Sequence, residues 1–256
     1  MSAAAFTRSR FAPALLGFGT LAGFIVLMQA LIYFGVLNQF IVPYPTEIAR
    51  SFERIIVEEH VFDRFLLTLQ ECVSAALLLA VFGISIGTIL YKVDILRRAT
   101  ETWVAAAAAA PTVLMYPLFL VIFGRSAWTI IMMGFVAGLP AVILKTIEGL
   151  SGTKNVLMNV GRSFKLTPWQ LFWKIQFPSA LPTIFTGFKL GLIFALINVV
   201  GVEFLINFGG LGQLINDLAE RYDLAGTYAA ICFVILVSVL FFIVVERIER
   251  WLTRVA

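Results

Sequence analysis

The sequence predicts an all-α, polytopic membrane protein of about six transmembrane helices, and three observations carry the prediction. Its 256 residues are 61% hydrophobic and only 13% charged, with a mean hydropathy of +0.97, far from the balance of a soluble domain. The apolar residues fall in runs of the roughly 20 residues that a helix needs to cross a hydrocarbon core of about 30 Å. The basic residues sit in short gaps beside those runs, so the net charge of +4 reports topology and not nucleic-acid binding.

No charge occurs between Arg10 and Glu47, which places a first span over Pro13 to Val36. Arg8 and Arg10 precede it without a small-residue cleavage site and a mature soluble domain after it, so this span is expected to remain as an anchor. From Asn38 to Arg64 the chain is polar. Ile48, Phe52, Ile55 and Ile56 recur there at helical spacing among Glu47, Arg50, Glu53, Arg54 and Glu58, which reads as an amphipathic surface helix begun near Thr46. The second span lies between Phe65 and Tyr91, with Gln70 and Glu71 at its outer end read as interfacial residues. The third runs from Glu101 to Phe123, its Ala105 to Ala110 run permitting close helix packing, and the fourth from Ala127 to Leu144. The fifth covers Pro182 to Asn207 and the sixth Ala225 to Val245. The whole chain, 1–256, is one transmembrane domain in this reading, with extramembrane features at 37–64, 148–181 and 208–224.

Thirteen basic residues flank one side of these spans, among them Arg8, Arg10, Lys92, Arg97, Arg98, Arg250 and Arg254, against five on the other, Arg50, Arg54, Arg64, Arg125 and Arg221. The positive-inside rule puts both termini and the loop after the fourth span in the cytoplasm. That loop, Leu157 to Pro182, is the longest polar interruption. Val156, Leu157, Val160 and Phe164 cluster on one face of a short helix and Asn159, Arg162, Ser163 and Lys165 on the other, so an apolar side is expected to rest on something. Met158 and Leu166 fall on the polar side, where a partner would cover them. Thr167, Pro168 and Gln170 then have the form of a capping box opening a second helix, expected to stop before Pro178. The plain alternative is an interfacial helix with no partner.

The run Trp169 to Leu192, with the helix before it, resembles the cytoplasmic loop of permease subunits of binding-protein-dependent ABC importers, in the branch of nitrate, taurine, alkanesulfonate and thiamine-precursor permeases. Val42-Pro43-Tyr44-Pro45, Pro111 with Pro117-Leu118-Phe119, Phe123-Gly124 and Gly210-Leu211-Gly212 match as well, so the resemblance extends from about Val42 to the C-terminus. It implies a type I importer permease fold and a coupling helix that docks an ATPase subunit, here through Leu157, Met158, Asn159, Gly161, Arg162, Ser163, Phe164, Lys165, Leu166 and Thr167. The family usually carries Glu-Ala-Ala and, a few residues on, Gly, where this chain has Asn159, Val160, Gly161 and Lys165; the usual acidic contact is missing. The resemblance further implies two ATPase subunits that hold ATP-Mg, a second permease copy forming a homodimer, a periplasmic or lipid-anchored solute-binding protein, and a place in a bacterial inner membrane.

Ionisable residues inside spans are candidate functional residues. Lys189 and Glu203 lie 14 residues apart, about 21 Å along a helix, and share a face with Leu192, Leu196, Val200 and Asn207. Lysine snorkels, so Lys189 alone is weak evidence; the shorter Glu203 is harder to excuse. Lys189, Leu196, Val200, Glu203 and Asn207 are therefore expected to border the translocation path, Glu203 gating it or holding a helix contact. Phe208 to Gly212 reads either as a turn that lets a short helix, Leu211 to Glu220, fold back as part of an outer gate or as an ordinary glycine-rich turn.

The absences discriminate further. No G-x-x-x-x-G-K-[ST] loop is present, so nucleotide energy must come from a separate subunit. His60 is the single histidine and lies in a loop, which excludes bis-histidine haem, H-E-x-x-H zinc chemistry and a Ser-His-Asp triad in the bilayer. Cys72 and Cys232 fall inside apolar runs as free thiols. No metal, cofactor or enzymatic activity is expected. The competing readings are an ion-gradient secondary transporter, which predicts an inverted repeat and several buried carboxylates, a membrane scaffold or intramembrane enzyme, and an ATP-driven subunit working without a soluble binding protein. The apolar, Phe-rich lining weakly favours an organic solute over a small inorganic anion.

Overall fold

The computed structural model describes residues 12–39 and 41–253, and among them all regular structure is helical. Arg8, Arg10 and Arg254 lie outside the described residues. The chain divides into two compact units, Met1–His60 with Asp217–Cys232, and Val61–Asn216 with Phe233–Ala256.

In the first unit α1, Ala12–Tyr33, exposes nearly all of its apolar surface from Leu15 onward, as a lipid-facing span does. Helix α2, Pro45–Val57, starts one residue earlier than its sequence suggests because Glu47 reaches back to the Tyr44 amide at 3.2 Å and Pro45 takes the first helical position. Ile55 is buried and Ile48 and Phe52 half-buried, while Glu47, Arg50 and Glu53 face outward. Arg54 pairs with Asp223, and Arg221 with Glu59 at 2.7 Å. Asp223 raises the Arg54 pKa further above its already high ordinary value.

The second unit is built on three helices. Helices α3, Val61–Leu78, and α4, Ile84–Lys92, are joined without a break by a π-turn, Leu79–Gly83, into one span. Helix α7 is Ala127–Ser151 and α10 is Phe177–Ile206. Each carries two glycines four residues apart: Gly83 and Gly87, Gly134 and Gly138, Gly187 and Gly191. These are the contact points. A Cβ on Gly138 would strike the Gly191 carbonyl, one on Gly191 would lie 2.7 Å from the Val142 side chain, and one on Gly83 would lie 2.8 Å from Val142. With no hydrophobic drive between helices in lipid, this close approach of small residues holds the spans together. Around the crossing Ala75, Leu79, Val142, Leu192 and Ala195 form a core, with Val245 of α12, Leu224–Thr253, packed into it.

The third span is not the single helix its composition suggests. Helix α5, Asp94–Ala109, ends at Ala110, whose backbone is extended at φ −72° and ψ 136° because Pro111 follows. After a 3₁₀ turn, Thr112–Met115, the short α6, Tyr116–Phe123, leaves at an angle that makes the whole segment bend by 94°. Among the described residues five helices are long and apolar enough to cross a membrane, and the bent pair, taken as one span, makes a sixth.

Candidate functional site

Two regions combine unusual geometry with exposure or buried charge, both in the second unit. The first is the loop after α7. Helix α8, Asn155–Ser163, ends in a Schellman motif: the Leu166 amide donates to the Gly161 carbonyl at 3.2 Å and the Lys165 amide to the Arg162 carbonyl at 2.9 Å. That motif places Lys165 in the left-handed region at φ 54°, where glycine is the usual residue. The Lys165 position is thus a backbone requirement, and Lys165→Gly is expected to stabilise the loop by about 1 kcal/mol, read as a rise in the thermal unfolding midpoint of the purified protein.

Thr167 then caps α9, Pro168–Leu171, its hydroxyl accepting from the Gln170 amide at 3.3 Å while Gln170 accepts from the Thr167 amide at 3.0 Å. The capping box stands as expected, but the helix does not stop before Pro178. A π-turn, Phe172–Gln176, has already broken the i to i−4 ladder, so the missing proline donor falls where no bond is required and the chain runs on into α10. Gln176 fixes this turn through Tyr91 and the Leu150 carbonyl, and Lys92 lies 4.1 Å from the Phe172 ring centroid.

The faces of α8 are the reverse of the simple amphipathic expectation. Gly161 is buried, and a Cβ there would meet the tips of Leu171 and Ile175; Met158 and Leu166 are half-buried beside it. The apolar residues Val156, Leu157, Val160 and Phe164 instead point away from the chain, Phe164 at 78% exposure, together with Trp169 at 65%. Gly161 causes this: it is the one position on α8 small enough for α9 and the π-turn to approach. Asn159, Arg162, Ser163, Lys165 and Thr167 are exposed around the same patch.

The second region surrounds Glu203, which is fully buried near the end of α10. Its Oε1 accepts from the Thr68 hydroxyl at 2.7 Å and its Oε2 from the Gly212 amide at 2.8 Å; the Leu211 amide donates to Thr68 Oγ1 at 2.9 Å. These amides open α11, Gly210–Glu220, so Glu203 and Thr68 cap a helix that turns back after α10. The turn needs Asn207, Gly209 and Gly210 at φ 49°, 138° and 79°. A Cβ on Gly212 would strike the Val200 carbonyl, and one on Gly210 the Glu203 carboxylate. Asn207 Oδ1 accepts from Asn216 at 2.9 Å and its carbonyl accepts from Arg125.

The expected path residues therefore separate. Glu203 and Asn207 meet at the seat of α11, whereas Lys189 pairs with Glu249 of α12 at 2.8 Å, more than three turns away. Leu192, Leu196 and Glu203 pack against this chain's own helices, and Val200 is half-buried against the Phe119 cluster. That stripe does not border an open path within one chain, because the glycines of α7 draw it into the core. Glu71 also differs from its reading as interfacial: it is 6% exposed. The available signal was its spacing with Thr68, Ala75 and Leu79, a helical stripe that is buried throughout. Thr112 in the bend and Asn198 of α10 form a further polar pair at 3.0 Å.

Residues 80–254 match the family described as binding-protein-dependent transport system inner membrane component. The chain belongs to this family. Among its permease relatives, the formylaminopyrimidine transport permease ThiX of Halalkalibacterium halodurans is 25% identical, covering 82% of this chain and 84% of its own. The riboflavin transport system permease RibX of Chloroflexus aurantiacus is 25% identical over 92% and 88%, and the nitrate import permease NrtB of Synechococcus elongatus 25% over 75% and 68%. A solved inward-facing structure of the MetNI methionine ABC transporter superposes with a TM-score of 0.66 at 20% identity, over 75% of this permease-family chain and 96% of that one. That likeness gives the fold, the type I importer permease, as the resemblance implied.

Proposed function

We infer that this inner-membrane protein is the transmembrane permease subunit of an ATP-driven, binding-protein-dependent ABC importer, and that its α8 face docks the ATPase subunit. Family membership carries the first part. The single observation that supports the second is the cluster of Val156, Leu157, Val160 and Phe164, left open on a loop outside the spans and rimmed by Asn159, Arg162, Ser163 and Lys165. Apolar surface of that kind on a short capped helix fits a groove in a partner. Gly161, with the half-buried Met158 and Leu166 beside it, positions this face, and the exposed Thr167 extends its rim.

The excess of basic residues beside α8 puts it and both termini on the cytoplasmic side, where ATP-Mg is available to a partner that has the phosphate loop this chain lacks. One chain supplies half a pore, so a second copy completes it and two ATPase subunits engage the pair. The open face of α10, with Leu190, Phe194, Ile197 and Phe204, lines the path with its counterpart, and α11 lies on the outer side, where a solute-binding protein delivers its cargo. The relatives above are named for a formylaminopyrimidine, riboflavin and nitrate, so the class of small solute carries over and the individual solute does not.

Purification of the C-terminally tagged protein from native membranes tests this reading. An ATPase subunit bearing a phosphate loop is expected to co-purify with the wild type and to be reduced at least tenfold with Phe164→Asp, while the variant keeps the wild-type yield and elution profile. Equal recovery from both would remove α8 as the docking face. Uptake that survives ATP depletion would remove the importer itself.

A further inference from the structure

A groove of about 700 Å³ runs between α1 and α2, both within the first compact unit. Ile25, Gln29 and Tyr33 line it from α1, and Pro45, Thr46 and Ala49 from α2. Its size falls in the range of small-molecule sites, about 300 to 1,000 Å³, and its walls are mostly apolar. Within them the Oε1 of the half-buried Gln29 is shielded from solvent and accepts no hydrogen bond from the chain. A carbonyl oxygen held that way among apolar groups is costly unless a donor reaches it from outside the protein. Gln29 stands one turn before the end of α1 at Tyr33, the depth at which headgroups meet hydrocarbon.

We propose that this groove binds one phospholipid whose headgroup carries a primary ammonium, as phosphatidylethanolamine does. An acyl chain lies in the groove, an ammonium N–H donates to Gln29 Oε1, and Arg50 holds the phosphate. The lipid thereby ties the span to the surface helix.

The surroundings choose this occupant. Helix α1 is lipid-facing, so lipid is the medium that the groove opens into. An α-helix about 10 Å across would fill the groove in less than two turns, too little to seat a protein span, whereas a chain of methylenes threads it. Arg50 is exposed one turn beyond Thr46 on the same stripe of α2. Arg54 is paired with Asp223, but Arg50 makes no ion pair among the described residues. Glu47 and Glu53 lie three residues to either side of Arg50, so one cation stands between two anions. That pattern suits a headgroup bearing both charges and disfavours a net anionic one. The need for a donor then separates the two common zwitterions. An ammonium has three N–H groups to give, whereas the fully methylated nitrogen of choline has none. The site is independent of which partner docks on α8.

The test places the full-length protein in nanodiscs of phosphatidylethanolamine, phosphatidylcholine and phosphatidylglycerol in equal parts, extracts it with detergent, and identifies the retained lipid by mass. The wild type is expected to keep phosphatidylethanolamine about fivefold over either competitor, as one added hydrogen bond gives. Gln29→Leu, which keeps the bulk and removes the acceptor, is expected to abolish the preference over phosphatidylcholine at wild-type elution profile. Arg50→Ala is expected to lower total retained phospholipid about fivefold. A photo-crosslinker at Ala30, which also lines the groove, is expected to capture phosphatidylethanolamine. Equal retention of the three lipids by the wild type, a preference for phosphatidylglycerol, an unchanged ratio in Gln29→Leu, or capture of a polypeptide at Ala30 would overturn the proposal. The wild-type ratio and the Ala30 crosslink decide the matter without any variant. ATPase co-purification is untouched by each of these results, so failure here is separable from failure of the importer reading.

Discussion

Glu203→Ala is expected to unseat α11 and abolish uptake while the protein remains in the membrane. The substitution strips the acceptor from the Gly212 amide and from the Thr68 hydroxyl in one step, and each buried donor left unpaired costs about 1 to 3 kcal/mol. With both donors left unpaired, the local loss is roughly 2 to 6 kcal/mol. Reagent accessibility of Gln213→Cys reads it directly and should rise more than tenfold, whereas Glu203→Gln, which keeps one acceptor oxygen, is expected to be intermediate. Wild-type accessibility and uptake in Glu203→Ala would mean that the carboxylate does not hold the helix.

Gly138→Val is expected to be more damaging to assembly of the bundle than any other single change in α7. The added side chain meets the Gly191 carbonyl, a backbone atom that cannot rotate away, and Leu79 Cδ1 at 2.8 Å. Overpacking of a well-fitted crossing costs about 1 to 3 kcal/mol where side chains can adjust, and more where backbone must move. The variant should lose most of its monodisperse yield after extraction. Gly124→Ala is the informative comparison. A Cβ at Gly124 meets nothing within 4 Å, but its φ of 68° with ψ −171° is a conformation nearly confined to glycine, so a loss of about 1 to 3 kcal/mol from backbone strain alone is expected. Equal yields for Gly138→Val and wild type would place the α7 and α10 crossing elsewhere.

The class, the number of spans and the loop that carries α8 were legible because apolar run length and charge placement are properties of the one-dimensional chain. The capping box at Thr167 was legible for the same reason: it is a contact between residues three apart. What the sequence hid was which face of each element is covered. On α8, Val156 and Phe164 belong to the apolar side expected to rest on something, and Gly161 decides that this chain's own helices meet the other side, by letting Leu171 and Ile175 approach. On α10, Leu192, Leu196 and Glu203 looked like part of a lining, and within one chain they are buried where α7 approaches through Gly134 and Gly138. Those glycine pairs were visible in the sequence at four-residue spacing, a signal of helix contact in lipid. Glu71 was hidden because the residues it meets across a small cavity, Ala127, Ile131, Phe208 and Gly209, are distant in sequence. The bend at Pro111 followed from local chemistry, since Ala110 before a proline is forced out of the helical region.

The departure from the family loop also acquires a physical content. Where the family resemblance leads one to expect glycine, Lys165 bears the left-handed conformation required by the Schellman bonds of Leu166 and Lys165 itself. The geometry is kept at a conformational cost, and the lysine places a positive charge at the rim of the exposed apolar patch. Asn159, where an acid is usual, makes that rim more basic still. A matching acidic edge on the ATPase groove would complement it.

The most direct measurement is site-specific photo-crosslinking in native membranes, with the crosslinker placed at Phe164 and, as a control, at Val121, which is 85% exposed on the apolar α6. The position at Phe164 is expected to capture a polypeptide carrying an ATP-binding phosphate loop, in a yield that falls when Val160→Asp is introduced, and the position at Val121 is expected not to capture it. Capture of lipid alone at Phe164, or of the same ATPase equally well from both positions, would contradict the assignment of α8 as the surface through which ATP hydrolysis reaches this permease.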